Sequence, residues 1–157
     1  MLIGVIGVAE ATPAQEHMAE LVGALIAEAG HVLVCGGRGG VMAAACRGAA
    51  RSGGQTLGIL PGDTADEANT WVTIPLPTGM GEARNALIAR AADALIAIGT
   101  GWGTLSEMAL AVKMGKPVIA LGAAPFLQDF AGDAVRWVET PVAAVELALT
   151  LADSSAR

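Results

Sequence analysis

The sequence contains no tyrosine, two phenylalanines and three tryptophans, so aromatic residues make up only 3% of its 157 positions. A densely packed core must therefore be filled by Val, Ile and Leu, with Ala and Gly letting helices lie close to a sheet. Charge is equally scarce: 15% of residues are charged and 54% are hydrophobic. That balance excludes a disordered chain, because so much apolar area can offset chain entropy. Lysine occurs only at Lys113 and Lys116, and no basic run exists. With a net charge of −6 and a pI of about 4.7, the chain lacks the cationic footprint that a nucleic-acid partner requires. No segment reaches the roughly 18 uninterrupted apolar residues of a membrane span. The apolar start Met1–Ile6 has no basic segment before it and reads as a buried strand, not a signal peptide. Cys35 and Cys46 are too few for a disulfide framework and are not spaced for zinc. The expectation is two buried, reduced thiols, no metal site and a cytoplasmic protein.

What the sequence does have is alternation. Short apolar runs at Leu2–Val8, His31–Cys35, Gln55–Leu60, Trp71–Leu76, Ala94–Ile98, Pro117–Leu121 and Val135–Val138 read as strands. Between them, Pro13–Ala29, Val41–Ser52, Met80–Ala92, Thr104–Met114 and Phe126–Phe130 read as helices, and a last helix starts at Pro141. Thr12 followed by Pro13 is an N-cap signal, and Gly30 and Gly53-Gly54 are stop signals. Ala94–Ile98 is apolar throughout, as a central parallel strand must be. Strands and helices in this rhythm predict an α/β fold: a single doubly wound, mostly parallel Rossmann-like sheet with helices on both faces. The predicted domain spans residues 1–152, and residues 153–157 read as a frayed tail.

Ligands of such sheets bind beyond the carboxyl ends of the strands. No G-x-G-x-x-G follows the first strand, and the second ends in Cys35-Gly36 without an acid for a ribose, which excludes a conventional NAD site. Gly115-Lys116 is followed by Pro117 and opens a strand, which excludes a Walker A loop. Two other glycine-rich segments do fall at strand ends. Gly36-Gly37-Arg38-Gly39-Gly40-Val41-Met42 has four glycines in five positions, more than a simple turn needs. Gly99-Thr100-Gly101-Trp102-Gly103-Thr104 leads into a helix whose free N–H groups suit a phosphate. Thr104 and Glu107 also match a capping box, which needs no ligand. Arg84, near the start of the preceding helix, carries the guanidinium fork that suits phosphate, or else pairs with a surface acid such as Glu82. Arg38 either contacts an anion or is simply solvated.

Taken together, these segments, with Ala92–Ile96, Gly101–Glu107 and Lys116-Pro117-Val118, resemble the LOG-type superfamily over roughly Val32 to Leu121. That superfamily, long labelled lysine decarboxylases, includes cytokinin-activating nucleoside-monophosphate phosphoribohydrolases and the related molybdenum-cofactor carrier proteins. In the hydrolases a Pro-Gly-Gly-x-Gly-Thr-x-x-Glu loop holds the 5′-phosphate, and an arginine and the glutamate serve N-glycosidic cleavage. The resemblance places those two roles on Arg84 and Glu107. Here the Pro-Gly-Gly start is Gly99-Thr100-Gly101, the lysine expected after the arginine is Asn85, and Ala9-Glu10-Ala11 follows the first strand. The compact size, the Ala83-Arg84-Asn85 sequence and the Gly-rich loop resemble the carrier branch more closely.

The leading reading is therefore a carrier or sensor that binds a nucleoside monophosphate or phosphorylated cofactor, the molybdenum cofactor among them, and requires no cofactor of its own. The alternatives are a phosphoribohydrolase releasing free base and ribose 5-phosphate, or a module without a ligand. Lysine decarboxylation would need a Schiff-base lysine that Lys113 and Lys116 are not placed to supply. The resemblance also implies a homodimer or homotetramer, whose only other partner is a small phosphorylated ligand.

Overall fold

The computed structural model describes residues 1–122 and 124–155. Seven strands form one all-parallel sheet: β1 Leu2–Gly7, β2 Val32–Cys35, β3 Thr56–Leu60, β4 Ile74–Pro77, β5 Ala94–Ile98, β6 Val118–Leu121 and β7 Arg136–Val138. Their order is β4-β3-β2-β1-β5-β6-β7. The order in which successive strands are laid down reverses between β1 and β5, where Ile3–Gly7 runs parallel and in register with Ala94–Ile98. That reversal is the switch point at which the connecting loops part and leave a crevice.

Six helices cover the sheet: α1 Pro13–Glu28, α2 Val41–Arg51, α3 Asn85–Ala91, α4 Trp102–Lys113, α5 Pro125–Ala131 and α6 Pro141–Ser155. One core layer packs α1, α2 and α6 on Ile3, Val5, Leu33, Ile96 and Ile98. The other packs α3 and α4 on Ile6, Val34, Leu95 and Ala97, the alternate residues of the same strands. Alternation along β1 and β5 thus sends one set of side chains to each face. With few aromatics, tight fit replaces bulk. A Cβ at Gly23 of α1 would overlap the Ala45 carbonyl of α2, and one at Gly48 of α2 would overlap the Glu20 carbonyl of α1. The backbones of these two helices are therefore in contact. Glu20 spans the crossing with bonds of 2.9 Å from Arg47 and 2.7 Å from Arg51.

Several elements differ from the sequence reading for identifiable reasons. The segment expected as one helix over Met80–Ala92 splits into a 3₁₀ turn at Gly81–Arg84 and the short α3, because Gly79 and Gly81 hold positive φ. β4 begins at Ile74, not Trp71, because the Trp71 carbonyl and Thr73 are taken up in hydrogen bonds with Thr56. Pro75 and Pro77 sit in that strand without penalty because it lies at the sheet edge. The final helix runs on through Asp153–Ser155, part of the expected tail, while residues 156 and 157 lie outside the described residues. Cys35 and Cys46 are free and buried, as expected, with their sulfurs 3.4 Å apart.

A candidate anion cleft at the switch point

The cleft begins with glycine at the ends of β1 and β2. A Cβ on Gly7 would press 2.6 Å from Val41 Cγ1, so only glycine lets α2 start this close to β1. Gly40 is the N-cap of α2 at φ +61, and any side chain there would strike the carbonyls of Val8 and Ala9. No side chain caps α2; its first N–H, of Val41, donates to the Val8 carbonyl at 3.1 Å and ties the start of the helix to the end of β1. The loop is pinned from behind. Gly37 N–H donates to Cys35 Sγ at 3.3 Å, and Asn69 Nδ2 donates to the carbonyls of Gly37 and Arg38 at 3.1 and 3.0 Å.

Across the crevice, α4 starts two residues before the sequence reading placed it. Gly101, extended at φ −149, is the N-cap, and no side chain caps the helix. The capping box of Thr104 and Glu107 is therefore not formed, since both already lie within the helix. Both are also buried. Glu107 lies beside Arg84, which is only 6% exposed, and Thr104 lines the same cleft.

Arg84 is held on three sides. Its Nη1 donates to Asn85 Oδ1, its Nη2 reaches the Gly36 carbonyl at 3.5 Å, and Nη1 stands 3.8 Å from Glu107 Oε1. A Cβ at Gly36 would come 2.8 Å from both Arg84 Nη2 and Met42 Sδ, so a side chain there would displace the guanidinium or the thioether. Asn85 is fixed in turn by a 2.9 Å bond from its Nδ2 to Ser106 Oγ. The Nε of Arg84 is buried and has no hydrogen-bond partner. A buried, unsatisfied guanidinium N–H is costly and calls for an acceptor.

Burial pushes the Glu107 carboxyl up to about 7, against the pull of the Arg84 charge and with a further push from Glu82. The cleft between these groups holds about 400 Å³ and is lined by Val8, Ala9, Arg38, Met42, Arg84 and Glu107, with Glu82, Asn85 and the first turn of α4. Arg38 is exposed at the rim, as is Trp102, which is 90% exposed.

The sequence-expected residues thus divide. Arg38, Gly39, Met42, Arg84, Gly101, Trp102, Gly103, Thr104 and Glu107 share this cleft. Gly36 and Gly40 shape it from behind, and Gly37 packs on Leu60 and Gly58. Gly99 and Thr100, however, line a separate cavity of about 280 Å³ over the ends of β5 and β6, with Gln15, Met18 and Trp137. The β5–α4 loop is a wall between two spaces, and only its second half faces the arginines. Gly7, Val8, Ala9, Glu82 and Asn85 belong to the cleft although the sequence reading did not assign them to it.

The model of the SLOG cluster4 family matches residues 1–147. The chain belongs to the SLOG cluster4 family. Within the wider LOG-like and molybdenum-cofactor-carrier-like superfamily, this SLOG cluster4 chain is similar to the molybdenum cofactor binding protein of the phototrophic bacterium Rippkaea orientalis. The two are 41% identical over 96% of each chain, with a TM-score of 0.92. It is similar as well to the molybdenum cofactor carrier protein of Chlamydomonas reinhardtii, at 38% identity over 96% of each chain and a TM-score of 0.88. An uncharacterized protein of Archaeoglobus fulgidus is 43% identical over 150 residues, 96% of this chain and 95% of that one. The superfamily assignment drawn from the glycine loops and the Rossmann-like α/β class both hold. No described helix of this SLOG cluster4 chain is long and apolar enough to cross a membrane.

Proposed function

We propose that this protein is a carrier for a phosphorylated small molecule, with the molybdenum cofactor as its foremost cargo and nucleoside monophosphates as simpler ligands of the same cleft. The observation that carries this reading is the buried, unpartnered Nε of Arg84 in the cleft wall. A phosphate oxygen would satisfy it, while the uncapped first turn of α4 and the rim guanidinium of Arg38 reach the remaining oxygens. The similarity to two proteins that bind or carry the molybdenum cofactor supports that cargo. That cargo is a phosphorylated pterin, and the open, partly apolar mouth beside Met42 and Trp102 suits its ring. The exposed apolar side chains Trp102, Phe126 and Phe130 favour a homodimer or homotetramer, which light scattering of the purified protein would measure.

A second reading keeps its own observation. Glu107 and Arg84 stand 3.8 Å apart, and a carboxyl near 7 is suited to proton transfer in N-glycosidic cleavage. One experiment separates the two. The protein is incubated with a panel of nucleoside monophosphates and with phosphorylated pterin, and free base and thermal stability are followed together. Stabilisation without base release supports the carrier. Base release that vanishes in Glu107→Gln replaces it with a phosphoribohydrolase. Failure of every ligand to bind at millimolar concentration overturns both.

A further inference from the structure

We propose that the cleft takes up its anion together with one proton, held on Glu107, so that cargo is captured at lower pH and released as pH rises. This inference rests on the anion-carrier reading above and adds its regulation.

The geometry makes Glu107 a competitor for the ligand's own counter-charge. Glu107 Oε1 lies 3.8 Å from Arg84 Nη1, and both side chains are more than nine-tenths buried. An anion accepting from Arg84 Nε must share one guanidinium with that carboxylate. Two oxyanions beside one cation in a site shielded from water repel strongly, as paired carboxylates do.

The other groups facing Glu107 offer little relief. Glu82, on the 3₁₀ turn that carries Arg84, is a further acid in the cleft. Cys35, at the end of β2, is held neutral by its bond to Cys46 and by burial. Arg38, from the β2–α2 loop, is at the rim and exposed. Val8 and Ala9 after β1, Asn85 of α3 and Thr104 of α4 bring no charge. A proton on Glu107 removes the conflict: it frees Arg84 and turns the carboxyl into a hydrogen-bond donor toward the anion.

The direction follows. Burial brings the Glu107 carboxyl to about 7, so below that pH it is neutral and Arg84 is free for an anion. Above it, each bound anion must draw a proton from solution. Affinity then falls about tenfold per pH unit, because one proton enters with each ligand.

Inorganic sulfate is the cleanest probe, since it does not titrate near neutrality, and AMP is run beside it. Dissociation constants are measured by calorimetry between pH 6 and 9 on the full chain and on Glu107→Gln, in two buffers of different ionisation heat. The expected result is a sulfate affinity that falls about tenfold per unit above pH 7, with close to one proton taken up. Glu107→Gln is expected to bind without that slope and more than tenfold tighter than the parent at pH 8.5. A flat parent profile, an unchanged slope in Glu107→Gln, or a slope that disappears instead in Glu82→Gln overturns the inference while leaving the anion site standing. If neither protein binds sulfate or AMP at any pH, the anion-carrier reading itself falls, and this inference with it.

Discussion

Nη1 of Arg84 and Oε1 of Glu107 stand 3.8 Å apart, close enough to attract but beyond hydrogen-bond length, while Nη1 is bonded to Asn85 instead. The pair is incomplete as a salt bridge, so burial outweighs the arginine in setting the carboxyl near 7. This has a stability consequence. The unfolded carboxyl ionises near 4.5, so between pH 4.5 and 7 the folded chain holds the extra proton, and stability falls as pH rises through that window. At about 1.4 kcal/mol per pH unit, ionising Glu107 costs about 3 kcal/mol by pH 8. Glu107→Gln is therefore expected to unfold later than the parent at pH 8 and together with it at pH 4, as a denaturant series at the two pH values would show. A parent as stable as the variant at pH 8 would refute this account of Glu107.

Arg84→Lys tests whether the fork or the charge matters. A lysine cannot reach Asn85, Gly36 and a ligand from one planar group. Losing a charge-assisted bond of about 1.5–3 kcal/mol should weaken AMP binding by tenfold or more. Titration calorimetry at pH 6.5, where Glu107 is mostly neutral, measures it without interference from that carboxylate. Retained affinity would mean that a cation at this position suffices and that the fork adds nothing.

The α1–α2 crossing yields a prediction against helix propensity. Alanine in a helix interior is normally better than glycine by about 1 kcal/mol. At Gly48 the added methyl meets the Glu20 carbonyl, so Gly48→Ala should destabilise, by about 1–3 kcal/mol as overpacked sites do. A melting temperature at or above the parent's would show that the helices can part without loss.

The two thiols give a direct check on the loop behind the cleft. The hydrogen bond to Cys46 and burial hold the Cys35 thiol well above the usual thiol range, and neither sulfur reaches solvent. An aromatic disulfide reagent should label neither cysteine in the native protein and both after unfolding. Fast native labelling would mean that the Gly36–Gly40 segment opens readily.

How far the sequence was legible follows from where the apolar runs are unbroken. Ala94–Ile98 is apolar at every position, and its boundaries match the strand residue for residue. Trp71–Leu76 carries the same strand chemistry, yet hydrogen bonds between Thr56 and Thr73, 17 residues apart, delay the strand to Ile74. Nothing local announces such a contact. The glycine loops pointed to the correct edge of the sheet. They did not reveal that Gly101 would turn the chain so that Thr100 and Thr104 face different cavities. Thr104-x-x-Glu107 is the same string whether it caps a helix or lies inside one, and only the start of α4 at Trp102 separates the two. Gly7-Val8-Ala9 escaped because these residues contribute space and backbone, not functional groups.

Above pH 7, with Glu107 ionised, the cleft sets Arg38 and Arg84 against Glu82 and Glu107, so its local charge largely cancels, and the chain around it carries a net −6. At long range an approaching anion therefore meets a repelling field, and attraction begins only within reach of the buried guanidinium. Added salt shortens the reach of that field, from about 30 Å at 0.01 M to about 8 Å at 0.15 M. The encounter should thus quicken as ionic strength rises, opposite to proteins that draw anions in with a basic face. This cleft is approached by diffusion through a screened solution, and it recognises its ligand at contact, not at a distance.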